Sequence, residues 1–571
     1  MTPRTAEAAA RPAERAADLA AAHTLLACYL REVAAPDGTT ETVDGLLRIR
    51  LPHLGLLLSC RLARVSPVLA HRYVGPVRCR PVAAPTASRH PAGPEPPTAG
   101  TPVGGGPTAG TLPDDGPLVD DVPAVDAPVD VGRLARLLAA ELAARTGLAN
   151  DEFVEQVLGS RDALATLLRD RPPHDPTPTG DPVVDDYVDS EHSLVHGHPH
   201  HPSPKWRSGD PAGWRRHAPE LRSTFRLSWL AVPADLVAGD GPVDELIAPL
   251  DPPDAPPGHH LVPVHPWQLD LMPPTDPRVR RLGPAGVPVR PTASVRTLYA
   301  PSVDLFLKTS LHVRITNCLR KNARYELTGA VALTRFLDRV PLPARVGLLR
   351  EPGYRTVDLP GADEAYGTIL RTGLREHLRA DERVVLAAAL AATPLAVPDP
   401  FDWWRAYVDL LVPGVLRLWL GHGVVHEAHL QNVLVVLDRD GRPVRLILRD
   451  LEGTKLDLGR LPAWPDQVPR QSAYTSAQAV QRVVYCLFVN HLAGLAGALA
   501  DGHPGIEPRL WRTVREAVEA TYAQLGEPAE LLALLDGAPL AAKANLLVRW
   551  HRAADQQAPY VAVPNPLGGA G

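Results

Sequence analysis

The chain has 571 residues, too many for one simple hydrophobic core, so about two to four domains or subdomains are expected. Hydrophobic residues make up 45% and charged residues 22% of the sequence, as is usual for a globular protein. The net charge of -5 argues against nucleic acid or an anionic membrane as the main partner, although it leaves room for a local basic site. The five cysteines are scattered and form no C-x-x-C pair, which fits a reducing compartment and argues against a disulfide framework or a zinc ribbon.

Two stretches bear on the location of the protein. The N-terminal MTPRTAEAAARPAERAADLAAAHTLLACYL mixes Arg and Glu with Ala and lacks the uninterrupted apolar core of a signal peptide. The longest apolar run, Val483 to Ala500, carries Asn490 and His491 at its middle, which favours a buried helix over a membrane span. We therefore expect a cytoplasmic protein without a membrane partner.

Helical and strand-like patterns alternate along the chain. Residues 1–70 predict helices broken by a strand-like stretch, and helical periodicity returns at 131–170. Residues 81–130 are rich in Pro, Gly, Ala and Thr and have little to bury, which predicts a mobile insertion or linker. Short strand-like pieces dominate residues 224–325, and helices return from about residue 402.

One hairpin is predicted with a definite register. The segment NVLVVLDRDGRPVRLILRD has two β-branched runs joined by a turn that ends in Asp440-Gly441. Asn432 opens the first run and Asp450 closes the second, each nine residues from Gly441. Antiparallel pairing therefore brings Asn432 and Asp450 together at the open end, where a hairpin needs neither residue for its own stability.

A polar cluster surrounds the open end of this hairpin. In HEAHLQN, the side chains of Glu427, His429 and Gln431 point the same way if the segment is extended. Oxygen ligands from Asn432, Asp450 and Glu427 would suit Mg²⁺, which proteins usually hold with one or two carboxylates plus nucleotide phosphates. The alternative is a solvated strand end, but the density of polar groups favours a function. The six residues are Glu427, His429, Gln431, Asn432, Asp450 and Glu452.

A second cluster combines cations with hydroxyl groups. The alternation in LFLKTSLHVRIT predicts one strand with a shared polar face, and Arg320 and Lys321 are expected on a helix or turn. Fixed cations and hydroxyl donors are what a triphosphate and a charged transition state require, although an ordinary polar sheet face is an equal alternative. No glycine-rich P-loop motif is present. The shared face carries Lys308, Ser310, His312 and Arg314, and the candidate site residues are Ser294, Arg296, Thr297, Lys308, Thr316 and Arg320.

A third cluster is rich in histidine and proline. Prolines in HGHPHHPSPKWRSG predict a loop that cannot join a central strand. Four His in six positions invite a metal hypothesis, but no suitably spaced carboxylate or Cys completes a ligand set. We favour a carboxylate-recognising loop, with an accidental His-rich loop as the alternative. The donors would be His196, His198, His200, His201, Lys205 and Arg207.

Taken in this order, these segments resemble the NIS (nonribosomal-peptide-synthetase-independent siderophore) synthetases, the IucA/IucC family. Each motif is weak by itself, whereas the ordered set, from Glu191 to about Gly453, is highly specific. VAVPNPL at 561–567 is similar to the C-terminal signature of the family, and residues 1–190 contribute little. The matching motifs are GHPHHPSPKWRSG, VPVHPWQ, SVRT, LKTSLHVRITNCLRKNARYEL, HEAHLQN and LILRDLEG.

The resemblance implies an α+β fold with a cupped-hand architecture. A helical thumb would occupy residues 1–190 and carry the disordered insertion at about 81–130. A fingers region, the IucA/IucC core, would occupy residues 191–400. A palm distantly similar to protein kinases would occupy residues 401–571, with an FhuF-like C-terminal part. The same resemblance favours a homodimer.

Roles for individual residues follow from the same resemblance. The catalytic residues would be Lys308, Arg296, Arg320 and His429. ATP would be bound by Ser294, Arg296, Thr297, Lys308, Arg320, His429, Gln431 and Asn432. The carboxylate substrate would lie near His198, His201, Lys205, Thr316, Arg320 and His429. Mg²⁺ would be held by Asp450, with Glu427 and Asn432 as further ligands.

The implied activity is that of a siderophore synthetase that joins a carboxylic acid to an amine or hydroxyl group. The acid, with citrate or a citrate derivative favoured, would attack ATP to give an acyl-adenylate and pyrophosphate, and the nucleophile would then release AMP. Two alternatives stay open. The hairpin suggests a kinase-like phosphotransferase, and the His-rich loop with the FhuF-like part suggests a non-catalytic protein that binds or reduces iron-siderophores.

Overall fold

The computed structural model combines separate helical layers and mostly antiparallel sheets, which confirms the α+β class. The predicted insertion at 81–130 falls mainly on residues 83–125, which lie outside the described residues. Its two ends are neighbours, because Ala127 pairs with Cys79 in an antiparallel ladder. The structure describes residues 3–82, 126–362, 364–554 and 558–568.

The N-terminal part is a five-stranded antiparallel sheet covered by helices. The helices are α1 (Pro3–Tyr29), α2 (Val131–Thr146), α3 (Asp151–Asp170) and α4 (Pro182–His192), and a π-helical turn covers Leu30–Ala34. The strands, in spatial order, are β1 (Thr40–Val43), β2 (Leu46–Leu51), β3 (Leu56–Arg64), β4 (Arg72–Pro81) and β5 (Ala127–Pro128). Helix α2 is delimited by its caps, since the Asp130 carboxylate accepts from Arg133 N at 2.7 Å and Gly147 takes a left-handed φ of 70°.

An eight-stranded sheet forms the centre of the molecule. Its strands lie in the order β7-β15-β16-β11-β10-β9-β6-β8. The helices of this part are α5 (Pro211–His217), α6 (Val243–Ile247), α7 (Pro266–Leu271) and α8 (Arg324–Leu337). The strands are β6 (Phe225–Pro233), β7 (Val237–Asp240), β8 (His259–Val264), β9 (Arg280–Pro291), β10 (Thr297–Ala300), β11 (Leu305–Thr309), β12 (Leu311–Ile315), β13 (Cys318–Arg320), β14 (Val346–Leu348), β15 (Gly353–Val357) and β16 (Thr368–Arg371).

The C-terminal part is mainly helical around a four-stranded sheet of order β14-β20-β19-β17. The helices are α9 (Ala387–Ala391), α10 (Pro400–His422), α11 (Ser476–Val483), α12 (Ala493–Gly502), α13 (Glu507–Gln524), α14 (Ala529–Leu535) and α15 (Asn545–Trp550). The strands are β17 (Arg383–Leu386), β18 (Val424–Val425), β19 (Val433–Leu437), β20 (Pro443–Leu448), β21 (Lys455–Asp457), β22 (Ala473–Tyr474), β23 (Leu540–Lys543) and β24 (Tyr560–Val563).

The predicted hairpin is present as β19 and β20. Val433 pairs with Leu448, and Arg449 N donates to Asn432 O at 3.1 Å, so the ladder runs to the open end. Both strands are buried because helix α10 and strands β14 and β17 surround them. The prediction that Asn432 and Asp450 flank the open end is therefore confirmed.

The prediction of one continuous strand through Lys308 and Arg314 is wrong. The chain breaks at Ser310, so that β11 belongs to the eight-stranded sheet whereas β12 forms a two-stranded sheet with β13. The break is stabilised by Asn322, whose backbone N donates to Ser310 Oγ at 3.0 Å. Arg320 ends the short strand β13 and does not lie on the helix or turn that was expected.

The apolar run at 483–500 is a buried helix, as predicted. The helical stretch Ser476–Gly502 is long and apolar enough to cross a membrane, but 89% of its most apolar window is buried within the protein. Between α11 and α12 it has π-helical geometry over Val484–Leu492. The helix belongs to the largest hydrophobic core, together with α10 and the hairpin.

Helix α10 provides a test of this core. Leu416 is fully buried, so we expect Leu416→Ala to lower the free energy of unfolding by about 2–5 kcal/mol through lost burial and a residual cavity. Leu532→Ala on α14, where the side chain is 43% exposed, should change it by less than about 0.5 kcal/mol. The midpoints of thermal unfolding compare the two, and equal midpoints would contradict the assignment of α10 to the core.

Candidate active site

The Lys308 ammonium group is the meeting point of the two central sheets. Lys308 lies on β11 and is 3% exposed. Its Nζ contacts the carboxylates of both Asp450 and Glu452, which follow strand β20. The eight-stranded sheet and the hairpin sheet are therefore joined by an ion pair at the open end of the hairpin.

Arg296 adds a second cation to the same carboxylates. Its guanidinium donates to Glu452 Oε2 at 3.1 Å, to the backbone O of Lys321 at 3.0 Å and to the Asn322 side chain. Asn322 in turn donates to Lys308 O at 3.0 Å. The loop after β13 thus fixes the orientation of both cations.

The turn before β10 holds two further predicted residues. Ser294 Oγ accepts from Thr297 N at 3.1 Å, and Thr297 pairs with Lys308 across β10 and β11. Between them, Val295 has a left-handed φ of 68°, which is strained for a β-branched residue. The strained turn brings Ser294, Arg296 and Thr297 to the end of β11 where Lys308 lies.

A buried arginine at the end of β16 completes the cationic group. Arg371 donates to Asp450 Oδ1 at 2.7 Å and to Glu351 Oε1 at 2.6 and 2.8 Å. Neither Arg371 nor Glu351 was among the sequence-derived candidates. They lie 79 and 99 residues before Asp450, and no local motif connects them with it.

The charges of this group support each other. Burial opposes the charged forms, but the carboxylates of Asp450 and Glu452 raise the pKa of Lys308. Lys308 and Arg371 hold the pKa of Asp450 well below its usual range despite its burial. At neutral pH Asp450 and Glu452 are therefore ionised beside charged cations, whereas burial raises the pKa of Glu351.

The segment HEAHLQN forms turns and is not extended, so the condition for a shared direction of its alternate side chains is not met. His429 N donates to Glu427 O at 2.8 Å and Asn432 N donates to His429 O at 2.9 Å, which closes two tight turns. Glu427, His429 and Gln431 therefore do not alternate along a strand. Burial lowers the pKa of His429, so its imidazole is neutral at neutral pH.

Arg449 connects this turn to the rest of the site. It donates to Gln431 O at 2.8 and 3.0 Å, to Tyr187 Oη at 2.9 Å, and to the Glu191 carboxylate. Glu191 also accepts from Ala293 N at 2.9 Å, next to the strained turn. Helix α4 thereby links the hairpin end to the turn that carries Ser294 and Arg296.

The predicted Mg²⁺ ligands lie around the same end of the hairpin. Glu427 contacts Arg482 at 3.2 Å, and a Cβ at Gly453 would lie 3.2 Å from Glu427 Oε2. Asp450 has a left-handed φ of 77°, which turns the chain sharply after β20. Within the described residues, no three His, Cys, Asp or Glu side chains are grouped to hold a metal ion by themselves. Asp450, Glu427 and Asn432 offer the oxygen donors that suit Mg²⁺ with phosphate completing its shell.

The His-rich loop reaches this site through Asn490. Asn490 Oδ1 accepts from Leu430 N at 3.1 Å, and Asn490 Nδ2 lies 3.1 Å from His198 Nε2. Burial, and next the charges of His201 and Arg31, hold the pKa of His198 well below its ordinary value. Asn490 therefore lies between His198 and the turn that carries His429, and the lowered pKa of each histidine keeps both imidazoles neutral.

The other predicted substrate residues divide into two groups. His201 Nε2 lies 2.9 Å from Asn317 Oδ1, in the turn where Thr316 Oγ1 accepts from Arg320 at 3.0 Å. Thr316 is also strained, with a φ of 56°. Lys205, by contrast, donates to the buried carboxylate of Glu220 at 2.6 Å and to Leu194 O at 2.5 Å.

Lys205 therefore neutralises Glu220 in this structure, together with Arg207, which donates to the same oxygen at 2.7 Å. A role for Lys205 in substrate binding stays a prediction.

Asn490 allows a test of how the turn at 427–432 is positioned. Asn490→Leu removes the acceptor of Leu430 N and should increase amide hydrogen exchange across the turn by about 5- to 10-fold, equivalent to about 1 kcal/mol. Asn490→Asp retains an acceptor of the same shape and should keep exchange close to that of the unsubstituted protein. Equal exchange in all three proteins would show that Asn490 does not hold the turn.

Comparison with known proteins places the chain in a family. The model of the IucA/IucC family matches residues 186–392, and a model described as a ferric iron reductase FhuF-like transporter matches residues 402–558. The chain is 30% identical over 450 residues to the L-2,3-diaminopropanoate–citrate ligase of Staphylococcus aureus, covering 68% of this chain and 76% of that protein. It is 29% identical over 512 residues to the rhizobactin siderophore biosynthesis protein RhbC of Rhizobium meliloti, covering 77% of this chain and 85% of that protein.

Solved structures agree in fold. The ATP-bound aerobactin synthetase IucA from a hypervirulent pathotype of Klebsiella pneumoniae superposes with a TM-score of 0.77 at 22% identity, covering 96% of this chain and 99% of that one. The petrobactin biosynthesis protein AsbB of Bacillus anthracis gives a TM-score of 0.75 at 18% identity, covering 97% and 96%. The ordered motifs, the relatives and the common fold together establish that the chain belongs to the IucA/IucC family of NIS synthetases.

Proposed function

We propose that this chain is an ATP-dependent acid–amine ligase of siderophore biosynthesis that activates citrate or a citrate derivative as an acyl-adenylate. The observation that carries the proposal is the position of Lys308 and Arg296 against Asp450 and Glu452, where the matched motifs converge. Relatives named as citrate ligases, and a fold relative described as ATP-bound, support the choice of substrates.

The first step would form the acyl-adenylate. A carboxylate oxygen of the acid attacks the α-phosphorus of ATP, the bond from that phosphorus to the bridging oxygen breaks, and pyrophosphate leaves. Negative charge builds on the phosphate oxygens during this step. Lys308 and Arg296 would stabilise it, because their ammonium and guanidinium groups are already fixed by the carboxylates and Asn322.

The second step would transfer the acyl group. The amine nitrogen attacks the acyl carbon, the bond from that carbon to the phosphate oxygen breaks, and AMP leaves while the amine loses a proton. His429 can accept this proton because burial keeps its imidazole neutral at neutral pH. No covalent bond to the protein is required.

Asp450 would hold Mg²⁺ with Asn432, and Glu427 would be a further ligand. When bound, the ion would neutralise charge on the ATP phosphates and supply Lewis-acid chemistry. What supports this role is the oxygen donors at the open end of the hairpin, where Arg449 N donates to Asn432 O at 3.1 Å and Asp450 follows directly after Arg449. In this structure the cations Lys308 and Arg371 neutralise Asp450. With Mg²⁺ bound to Asp450, both cations would be free to contact phosphate oxygens.

Several expectations from the sequence belong to the same proposal. They are the division into thumb, fingers and kinase-like palm near residues 190 and 400, a homodimer, and a cytoplasmic location. A hydroxyl group in place of the amine would follow the same two steps.

Loss of either cation should stop the reaction. We expect Lys308→Ala and Arg296→Ala each to lower acid-dependent pyrophosphate release by at least about 10²–10³-fold, since a preorganised positive charge is removed from the developing charge. Citrate with ATP, Mg²⁺ and hydroxylamine provides the assay, and 2-oxoglutarate and succinyl-hydroxamate acids complete the panel of acids.

Arg335→Ala is the matched control, because Arg335 pairs with Asp240 on the surface of α8 and should leave the rate unchanged. Rates near wild type in the Lys308 and Arg296 variants would remove them from the site. Formation of ADP in place of AMP and pyrophosphate would favour the phosphotransferase.

The metal role of Asp450 can be tested separately. Asp450→Asn keeps the shape of the side chain and should raise the Mg²⁺ concentration for half-maximal rate by about tenfold or more, besides lowering the rate itself. Asp440→Asn, at the exposed turn of the same hairpin, is the control and should change neither the rate nor the Mg²⁺ concentration for half-maximal rate. An unchanged Mg²⁺ dependence in Asp450→Asn would contradict the assignment.

A further inference from the structure

Arg31 is a buried cation outside the site described above. It lies in the π-helical turn Leu30–Ala34 and is 1% exposed. Within the described part of the chain, its Nε and Nη2 have no hydrogen-bond partner. Because a buried guanidinium with unused donors is unfavourable by several kcal/mol, such a group points to a ligand that supplies oxygen acceptors.

Two more buried polar atoms lack a hydrogen-bond partner in the described ranges of the chain. The Tyr73 hydroxyl on β4 and His200 Nδ1 are also buried without a partner among the residues that the structure describes. Burial, and next the charge of Arg31, hold the pKa of His200 well below its ordinary value, and burial raises the pKa of Tyr73. Both side chains are therefore neutral at neutral pH, and both lie within reach of the Arg31 charge.

Glu32 does not remove the charge of Arg31. Adjacent residues of a helix point in different directions, and Glu32 Oε2 accepts from Leu547 N at 3.0 Å, at the start of α15. Burial raises the pKa of Glu32 to about 7, so that its carboxyl group is only partly ionised at neutral pH. The Arg31 charge lowers the pKa of Glu32 against the larger effect of burial, so Glu32 offsets the charge of Arg31 only in part.

The group is continuous with the candidate active site. His200 N donates to His198 Nδ1 at 3.0 Å, and the two rings are 6.5 Å apart. His198 lies against Asn490, which holds the turn that carries His429. A short chain of contacts thus leads from His200 to the turn that carries His429, and His200 is close enough to Arg31 for the Arg31 charge to lower its pKa.

We propose that Arg31, Tyr73 and His200 form a carboxylate-binding subsite that holds a substrate carboxylate other than the one that is activated. The guanidinium offers two donors to a carboxylate, and the hydroxyl and imidazole offer one each. The carboxylate belongs either to a polycarboxylic acid such as citrate or to an amine that is itself an amino acid. This inference deepens the proposed function and rests on it for the identity of the substrates.

Calorimetric titration of the full chain tests the subsite directly. The probes are citrate, L-2,3-diaminopropionate, and 1,2-diaminoethane, which lacks the carboxylate. We expect Arg31→Gln to weaken binding of one carboxylate probe by about 10- to 100-fold, as for the loss of a charge-assisted pair, and to leave 1,2-diaminoethane unaffected. Weakened citrate binding assigns the subsite to the acid, and weakened diaminopropionate binding assigns it to the amine.

Two further variants keep the test decisive. Tyr73→Phe removes only a hydroxyl group and should weaken the same probe by about 3- to 10-fold, even if Arg31→Gln does not fold. Arg64→Gln is the matched control, since Arg64 is paired with Asp501 and Glu507; it should lower the midpoint of thermal unfolding and leave affinity unchanged. Arg31→Gln, which removes an uncompensated charge, should not lower that midpoint.

Unchanged affinity for both carboxylates in Arg31→Gln and Tyr73→Phe would overturn the subsite, as would a wild-type protein that binds neither. Pyrophosphate release by the unsubstituted protein is measured in parallel. If no pyrophosphate is released but carboxylate binding still depends on Arg31, the proposed function is refuted and the subsite is supported. If pyrophosphate is released normally but carboxylate binding does not depend on Arg31, the subsite is refuted and the proposed function is supported.

Discussion

The ion pair of Lys308 with Asp450 and Glu452 is the contact on which the arrangement of the site depends. Lys308 is fixed by β11 in the eight-stranded sheet, whereas the carboxylates follow β20 in another sheet. A buried ion pair adds little net stability, because desolvation offsets most of its attraction. Its effect is on geometry, because the two sheets must be placed so that the Lys308 ammonium group reaches the carboxylates of both Asp450 and Glu452.

The surrounding charges extend this constraint. Arg371 ties Asp450 to Glu351, and Arg449 ties the hairpin end to Glu191 on α4. Arg371, Glu351, Arg449 and Glu191 are buried and the Asp450 side chain is 29% exposed, so losing one partner would leave a buried charge uncompensated. Such a network holds Lys308 and Arg371 side by side, and in the proposed reaction Mg²⁺ would bind Asp450 in their place and leave two positioned positive charges for the transition state.

Local patterns were sufficient to predict some parts of the site. The hairpin register followed from the Asp440-Gly441 turn and two β-branched runs, because these interactions are between near neighbours in sequence. The break at Ser310 was missed because alternation continues through it, and the groups that stabilise the change of sheet, Asn322 and Gly367, lie elsewhere in the sequence. Likewise, the turn at 427–432 depends on Asn490, some 60 residues later, so its own sequence could not reveal it.

The remaining unpredicted residues share one physical cause. Arg371 and Glu351 act through contacts with distant segments, and their local sequences, like that of Arg31, are ordinary. For Arg31 the informative property is that its Nε and Nη2 lack hydrogen-bond acceptors among the described residues. This property arises only in the folded protein, where the guanidinium is shielded from water. A sequence pattern can list such cations, but it does not distinguish them from surface ones.

The polar residues within the apolar helix at 476–502 show how packing and function are combined there. Asn490 bonds to Leu430 N, and the neighbouring His491 lies 2.9 Å from Ala428 O through Nδ1. Adjacent side chains of an α-helix point about 100° apart, too far to face one short turn together. Both residues lie within the π-helical stretch Val484–Leu492, whose wider turn reduces that angle, and such stretches are frequent at functional sites. The same helix therefore fills the core with its apolar side chains and fixes the turn carrying His429 with its two polar ones.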